Sequence, residues 1–355
     1  MTVFRSISQR VVSPYQRQLA ATVPDTADDA QRDLRGFFEA LYASLYDDPA
    51  AFGLPVTEDV YVDKGDGKDR KAKVAAQVKK VRVKLAHAVD FLWLLALKGT
   101  PVGGGLQLSA EDYGALFAKG PRVKRKMLAG MEGVGLTLSE ADGGVIVASP
   151  VYTAMLPALR ALGEACARME DDRLAKFLLA RCDLRTLDPA YEPDPLDMLR
   201  ASLTPSEYQQ VVGLHHRLGE MAYAPNLRVG DAGEWQVQYQ GRRAVKSTPF
   251  FEFDYDGRKK RQLEMQVKAA AANRLVPLLP QQPASLQADF FEHAHNCGGC
   301  GWCKNRKALG PTVLEHEGEK KTICWYMRRR FAELDAEAVG LVMQYAQLHE
   351  DLATG

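Results

Sequence analysis

Cys297, Cys300 and Cys303 stand in the run His293-Ala294-His295-Asn296-Cys297-Gly298-Gly299-Cys300-Gly301-Trp302-Cys303, and Cys324 follows one hairpin's length downstream. A Cys-x-x-Cys turn sets two thiolates on one concave loop. The glycines between them let backbone N–H groups approach sulfur, which is the environment a soft metal takes. The run 311–316, a turn at Glu317-Gly318 and the run 321–326 predict a hairpin whose return strand carries Cys324 back to the other three. The expected metal ligands are therefore Cys297, Cys300, Cys303 and Cys324. His293, His295 and His316 are alternative ligands, although each also reads as a surface residue or one that supports a ligand. Zinc accepts tetrahedra of four thiolates, or of three thiolates and an imidazole, and a closed site of that kind is structural, holding together a module with little core of its own.

On these residues, segment 293–326 resembles a zinc ribbon or knuckle. It departs from the usual two separated Cys-x-x-Cys pairs, because three cysteines stand together and one apart. Cys-x-x-Cys-x-x-Cys also opens the bacterial ferredoxin pattern, so an iron–sulfur cluster is the alternative cofactor, with the fourth cysteine and its proline missing from their place. Reactive or unligated thiols are the third reading. Cys166 and Cys182 lie in helical patterns beside apolar residues and read as buried hydrophobes.

A second set of residues suggests electrostatic chemistry. Arg122, Lys124, Arg125 and Lys126 share one expected helix with the apolar positions Val123, Met127, Leu128 and Met131. Before it, Ser109-Ala110-Glu111-Asp112 predicts a helix cap, and Gly120-Pro121 separates the two helices. After it, Leu136-Thr137-Leu138 and Val145-Ile146-Val147 flank Asp142-Gly143-Gly144, a hairpin with a tight turn. Helix, turn, basic helix and hairpin over residues 109–149 resemble a winged helix. That resemblance implies either duplex DNA binding through the second helix or docking of a protein. Lys304, Arg306 and Lys307 with Trp302 and Trp325 add basic and stacking groups around the cysteines, suiting other nucleic acid. Residues 64–84 carry nine basic side chains against Asp66 and Asp69, on a helical stripe Val74, Val78, Val81 and Leu85. This is a solvated helix face or a phosphate-contacting one.

The elements that must position these groups predict an α+β chain. It has a helix-rich N-terminal half with the winged-helix-like unit, then an antiparallel meander with helices, and a small Cys-rich module. The expected boundaries are a helical domain at 1–187, a proline-rich linker at 188–200, a meander domain at 201–292 and a metal module with a final helix at 293–355. Trp235, Val237 and Tyr239, then Phe251, Phe253 and Tyr255, then Leu263, Met265 and Val267 alternate as three strands. Their second face is read either as packed core or as a small-molecule pocket.

With 46 basic and 45 acidic residues among 355, global charge names no partner. The apolar run Phe91 to Leu97 is far short of the roughly 20 residues that span a bilayer, and Met1 to Leu19 has no signal-peptide core. The expectation is a cytoplasmic, metal-binding, nucleic-acid-binding or regulatory protein without a membrane partner. The alternatives are an iron–sulfur or thiol redox sensor or enzyme, and a protein scaffold. No His-Glu-x-x-His, phosphate-binding Gly-x-x-x-x-Gly-Lys or nucleophile elbow assigns a reaction. Gly103-Gly104-Gly105 reads as a loop, and His215 and His216 point about 100° apart on a helix.

Overall fold

Apolar residues at helical spacing recur through the first two hundred positions, and most of the elements described there are helices. The computed structural model describes residues 6–20, 28–57, 67–118, 121–200, 202–230, 235–241, 250–255, 263–297 and 311–354, with the backbone alone for 20, 121–123, 353 and 354. The chain is α+β and divides into two compact units, one containing Met1–Ser202 and the other Leu203–Arg228, Trp235–Asp256 and Leu263–Gly355.

In the first unit, α1 (Ile7–Ala20), α2 (Asp29–Asp47) and α3 (Lys68–Lys98) supply most of the core. The Asp28 carboxylate accepts the Gln31 N–H at 2.8 Å and starts α2. That helix buries Leu34, Phe37, Phe38, Leu41 and Leu45, the period-3.6 face. The basic segment and the apolar run of the sequence merge into the single helix α3, which buries Val74, Val78, Val81 and Leu85 and then Phe91, Leu92 and Leu95. Gly99 ends it, donating to Leu95 O at 3.0 Å.

The chain then forms β1 (Thr100–Val102), β2 (Gly105–Ser109), α4 (Ala110–Ala115), α5 (Pro121–Glu132), β3 (Thr137–Ala141) and β4 (Gly144–Ala148). The expected glycine loop is a hairpin turn, with Gly103 and Gly104 at φ +51° and +84°. Sheet order is β1-β2-β4-β3, so β2, which the sequence pattern did not predict, joins the β3–β4 hairpin to the helices. A Cβ on Gly144 would lie 1.9 Å from Leu108 O, so this pairing requires glycine. The Ser109 hydroxyl accepts from Asp112 N at 3.0 Å and caps α4. Helices α6 (Met155–Cys166) and α7 (Asp172–Ala180) complete the core.

Residues 188–200, expected as a linker, are fastened within this unit. Arg185 pairs with Asp183 at 2.8 Å and with Asp197 of α8 (Pro195–Arg200), and its guanidinium lies 4.9 Å from the Tyr191 ring centre. The units part at Ser202 and Leu203 instead. Proline and acidic residues here make turns that an arginine holds, which composition alone cannot distinguish from a free linker.

The second unit opens with α9 (Pro205–Glu220), capped by the reciprocal Thr204–Glu207 box. Its sheet has the order β11-β8-β7-β6-β5, from β5 (Tyr223–Val229), β6 (Trp235–Gly241), β7 (Phe251–Tyr255), β8 (Leu263–Ala270) and β11 (Tyr326–Phe331). The β6 to β8 meander pairs antiparallel, Val237 opposite Phe253 and Phe253 opposite Met265. β5 carries Pro225 and lies at the edge, where a missing N–H needs no partner. α10 (Ala272–Leu275), α11 (Ala284–His293) and α12 (Ala336–Thr354) pack with α9 and the sheet, and β9 (Thr312–His316) pairs with β10 (Glu319–Ile323) as a separate hairpin.

Candidate functional site

The cysteine module hangs from α11. Asp289 on that helix accepts Arg329 Nε at 2.9 and 3.2 Å and the Tyr345 hydroxyl at 2.8 Å, tying α11 to β11 and α12 in one step. Lys321 of β10 donates to Phe291 O at 2.7 Å, with its ammonium 4.2 Å from the Phe291 ring centre. These bonds fix where the chain leaves α11 and where the β9–β10 hairpin meets it. Glu317 and Gly318, at φ +50° and +82°, make the expected hairpin turn.

Beyond α11 the chain pairs with the strand that ends in Cys324. Cys297 N donates to Thr322 O at 2.8 Å, Cys324 N donates to His295 O at 3.0 Å, and Asn296 bridges Ile323 antiparallel. In this register Cys297 lies opposite Thr322 and His295 opposite Cys324. Alternation then sets His295, Cys297, Thr322 and Cys324 on one face, while Ile323 is buried on the other. Both thiols are free and partly exposed. Two donors from opposite strands on one face fit half of a tetrahedral thiolate set.

Cys300 and Cys303 lie outside the described residues, as do Lys304, Arg306 and Lys307. Among the described residues no group of three or more His, Cys, Asp or Glu gathers as a metal site. His293 is engaged on its own helix, its Nδ1 2.9 Å from Asp289 O. His316 packs against Phe291, with ring centres 5.5 Å apart. His295 is the histidine that shares the thiol face.

The basic helix α5 presents its residues in two directions. Met127, Leu128 and Met131 are buried, Lys124 is half-buried, and Arg125 and Lys126 are exposed; the Arg122 side chain is outside the described set. Tyr113, whose hydroxyl is pushed up chiefly by burial, lies among Arg125, Glu132 and Glu140. Lys126 instead approaches α3: with Lys80 it lowers the Lys84 ammonium, after burial as the larger cause, and Lys124 does the same to His87. Lys84 donates to Gly53 O.

The second face of the meander is polar rather than apolar. Glu252, almost fully buried, accepts from Gln238 at 3.4 Å and from Gln266 and Lys268. Only the alternation of Gln236, Gln238, Glu252 and Gln266 with the apolar positions signals this face in the sequence. Arg330 reaches Glu264 at 3.4 Å. Arg328, Arg329 and Arg330 are thus strand residues with partners, Arg328 bonding Tyr326 and Arg329 bonding Asp289. Cys166 is pushed up to about 12 and Cys182 also upward, both chiefly by burial, so neither supplies a thiolate.

No protein-family model, curated protein or solved structure matches this chain. No helix among the described residues is long and apolar enough to cross a membrane.

Proposed function

We propose that the chain is a nucleic-acid-binding protein of the regulatory kind whose C-terminal module is fastened by one zinc ion on Cys297, Cys300, Cys303 and Cys324. The observation that carries this reading is the register that brings Cys297 and Cys324 to one face of the pairing between the end of α11 and β10. Zinc there supplies folding stability rather than chemistry, since four thiolates leave no open position. His295 is the favoured replacement ligand, because His293 and His316 are turned to Asp289 and Phe291. A reducing cytoplasm suits the free thiols.

The nucleic-acid part is supported by the order strand, helix, basic helix and hairpin from β2 to β4, which resembles that of a winged helix with duplex DNA as its partner, β1 being an added edge strand. Elemental analysis and an absorption spectrum of protein purified without oxygen, beside Cys324→Ser, test the metal. About one zinc per chain, lost in the variant together with protection of residues 293–330 from proteolysis, is expected. Iron with labile sulfide and a visible chromophore, or metal-free protein with the same proteolytic pattern as the variant, overturns the zinc reading.

A further inference from the structure

We infer that the phosphate-binding surface of the first unit is a lysine stripe along α3, flanked by Lys124 and Lys126 of α5, and that it takes the backbone of duplex DNA without reading sequence. This rests on the nucleic-acid reading above and moves the contact away from the outer face of α5.

Lys73, Gln77, Lys80, Lys84 and His87 recur at spacings of four, three, four and three residues, so they hold one side of α3 over about 21 Å. The stripe lies one residue before the buried series Val74, Val78, Val81, Leu85 and Ala88, and therefore runs beside the core seam rather than opposite it. There it borders α5, which adds Lys126 next to Lys84 and Lys124 next to His87. The Lys126 stem packs close to Gly53, where an added Cβ would stand 3.2 Å from Lys126 Cβ.

Five lysines, 73, 80, 84, 124 and 126, thus occupy one surface, and among the described residues none has a carboxylate partner. Lys84 has the Gly53 carbonyl, a dipole that leaves its charge uncompensated. The nearby Asp90 is paired with Lys176 at 2.7 Å. A folded protein that gathers like charges and supplies no counter-charge raises the local potential toward anions. Ammonium groups one and two helical turns apart along a rod match a string of phosphates. They lack the planar fork that reads a base edge, so the contact is sequence-independent.

The outer face of α5 is less suited. Arg125 lies by Tyr113 with Glu132 and Glu140, and the hairpin from Thr137 to Ala148 contains Glu140 and Asp142 but no lysine or arginine. A wing of that composition repels a phosphate backbone.

The test is anisotropy titration of a fluorescein-labelled 20-base-pair mixed-sequence duplex with the full chain across a salt series. Wild type is compared with Lys80→Gln/Lys84→Gln, Lys126→Gln and Arg125→Gln, each checked by circular dichroism. The double variant is expected to bind about ten-fold more weakly at low salt, with a log–log salt slope shallower by about two. Lys126→Gln is expected to lower the slope by about one, and Arg125→Gln to change affinity less than about two-fold. Loss in Arg125→Gln with the double variant unchanged overturns the stripe while leaving the nucleic-acid reading standing. Wild type that binds single-stranded RNA but not the duplex overturns the duplex assignment. Wild type that binds neither at low salt overturns the nucleic-acid reading itself.

Discussion

Lys268 and Arg329 in the second unit and Lys80 and Lys84 in the first carry the same charge in opposite circumstances. Lys268 meets buried Glu252, and Arg329 meets Asp289, which also takes the Tyr345 hydroxyl. Each is consumed in holding strands and helices together. Lys80 has no carboxylate partner among the described residues, and Lys84 has only a backbone carbonyl. The difference separates charge that builds the fold from charge left over for a partner. Residue type and local sequence do not make that separation: Arg328-Arg329-Arg330 is a longer basic run than Lys79-Lys80, yet Arg329 within it is consumed.

The largest test of the comparison falls on the consumed side. Asp289→Ala strands Arg329 and Tyr345 in a largely buried place, and its unfolding free energy by urea titration should fall by about 3 kcal/mol. Asp289→Asn, which keeps a hydrogen-bond acceptor, should lose less. A loss below about 1 kcal/mol would place this pair with solvent-screened surface bridges and erase the distinction from α3.

A second effect of nearly that size belongs to the same unit. Burial pushes His349 of α12 down to about 4, and its Nε2 meets no hydrogen-bond partner among the described residues. The folded state keeps the ring neutral, while the unfolded chain takes a proton near pH 6.5. Stability from this group is therefore full above about pH 6.5 and is lost progressively as pH falls toward 4, by up to about 3 kcal/mol. His349→Gln should flatten the urea midpoint between pH 7 and 4.5. An unchanged acid slope would mean that the His349 ring does not set the second unit's acid response.

Much of the framework is legible from local rules. The α2 stripe, the Ser109 and Thr204 caps, the β3–β4 and β9–β10 turns and the β6 to β8 alternation each depend on a few neighbouring residues. β11 was hidden because Arg329 occupies a core-facing position that only Asp289, forty residues earlier, makes tolerable. β5 was obscured by Pro225, and β2 by the glycines that turn the chain into it. At the cysteine module the hairpin that turns the chain back was legible, since its length and its Glu317-Gly318 turn suffice, whereas the pairing of Cys297 with the strand before Cys324 was not. The division of lysines between α3 and Glu252 was not, because a counter-charge arrives by tertiary packing.

The smallest expected effect is the sharpest on the free side. Lys80→Gln should leave unfolding free energy within about 0.5 kcal/mol of wild type, as for a surface change that removes no bonded charge. Relief of its repulsion with Lys84 acts in the stabilising direction. Lys84→Gln gives up the bond to Gly53 O but removes the ammonium that Lys80 and Lys126 both repel, so the two contributions oppose. Added salt screens that repulsion and should stabilise wild type more than the double variant. If Lys84→Gln alone instead loses more than about 1 kcal/mol at every salt concentration, the Gly53 bond outweighs the repulsion. Lys84 would then belong with Arg329 as a residue spent on the fold, leaving Lys80 and Lys126 to carry the free charge.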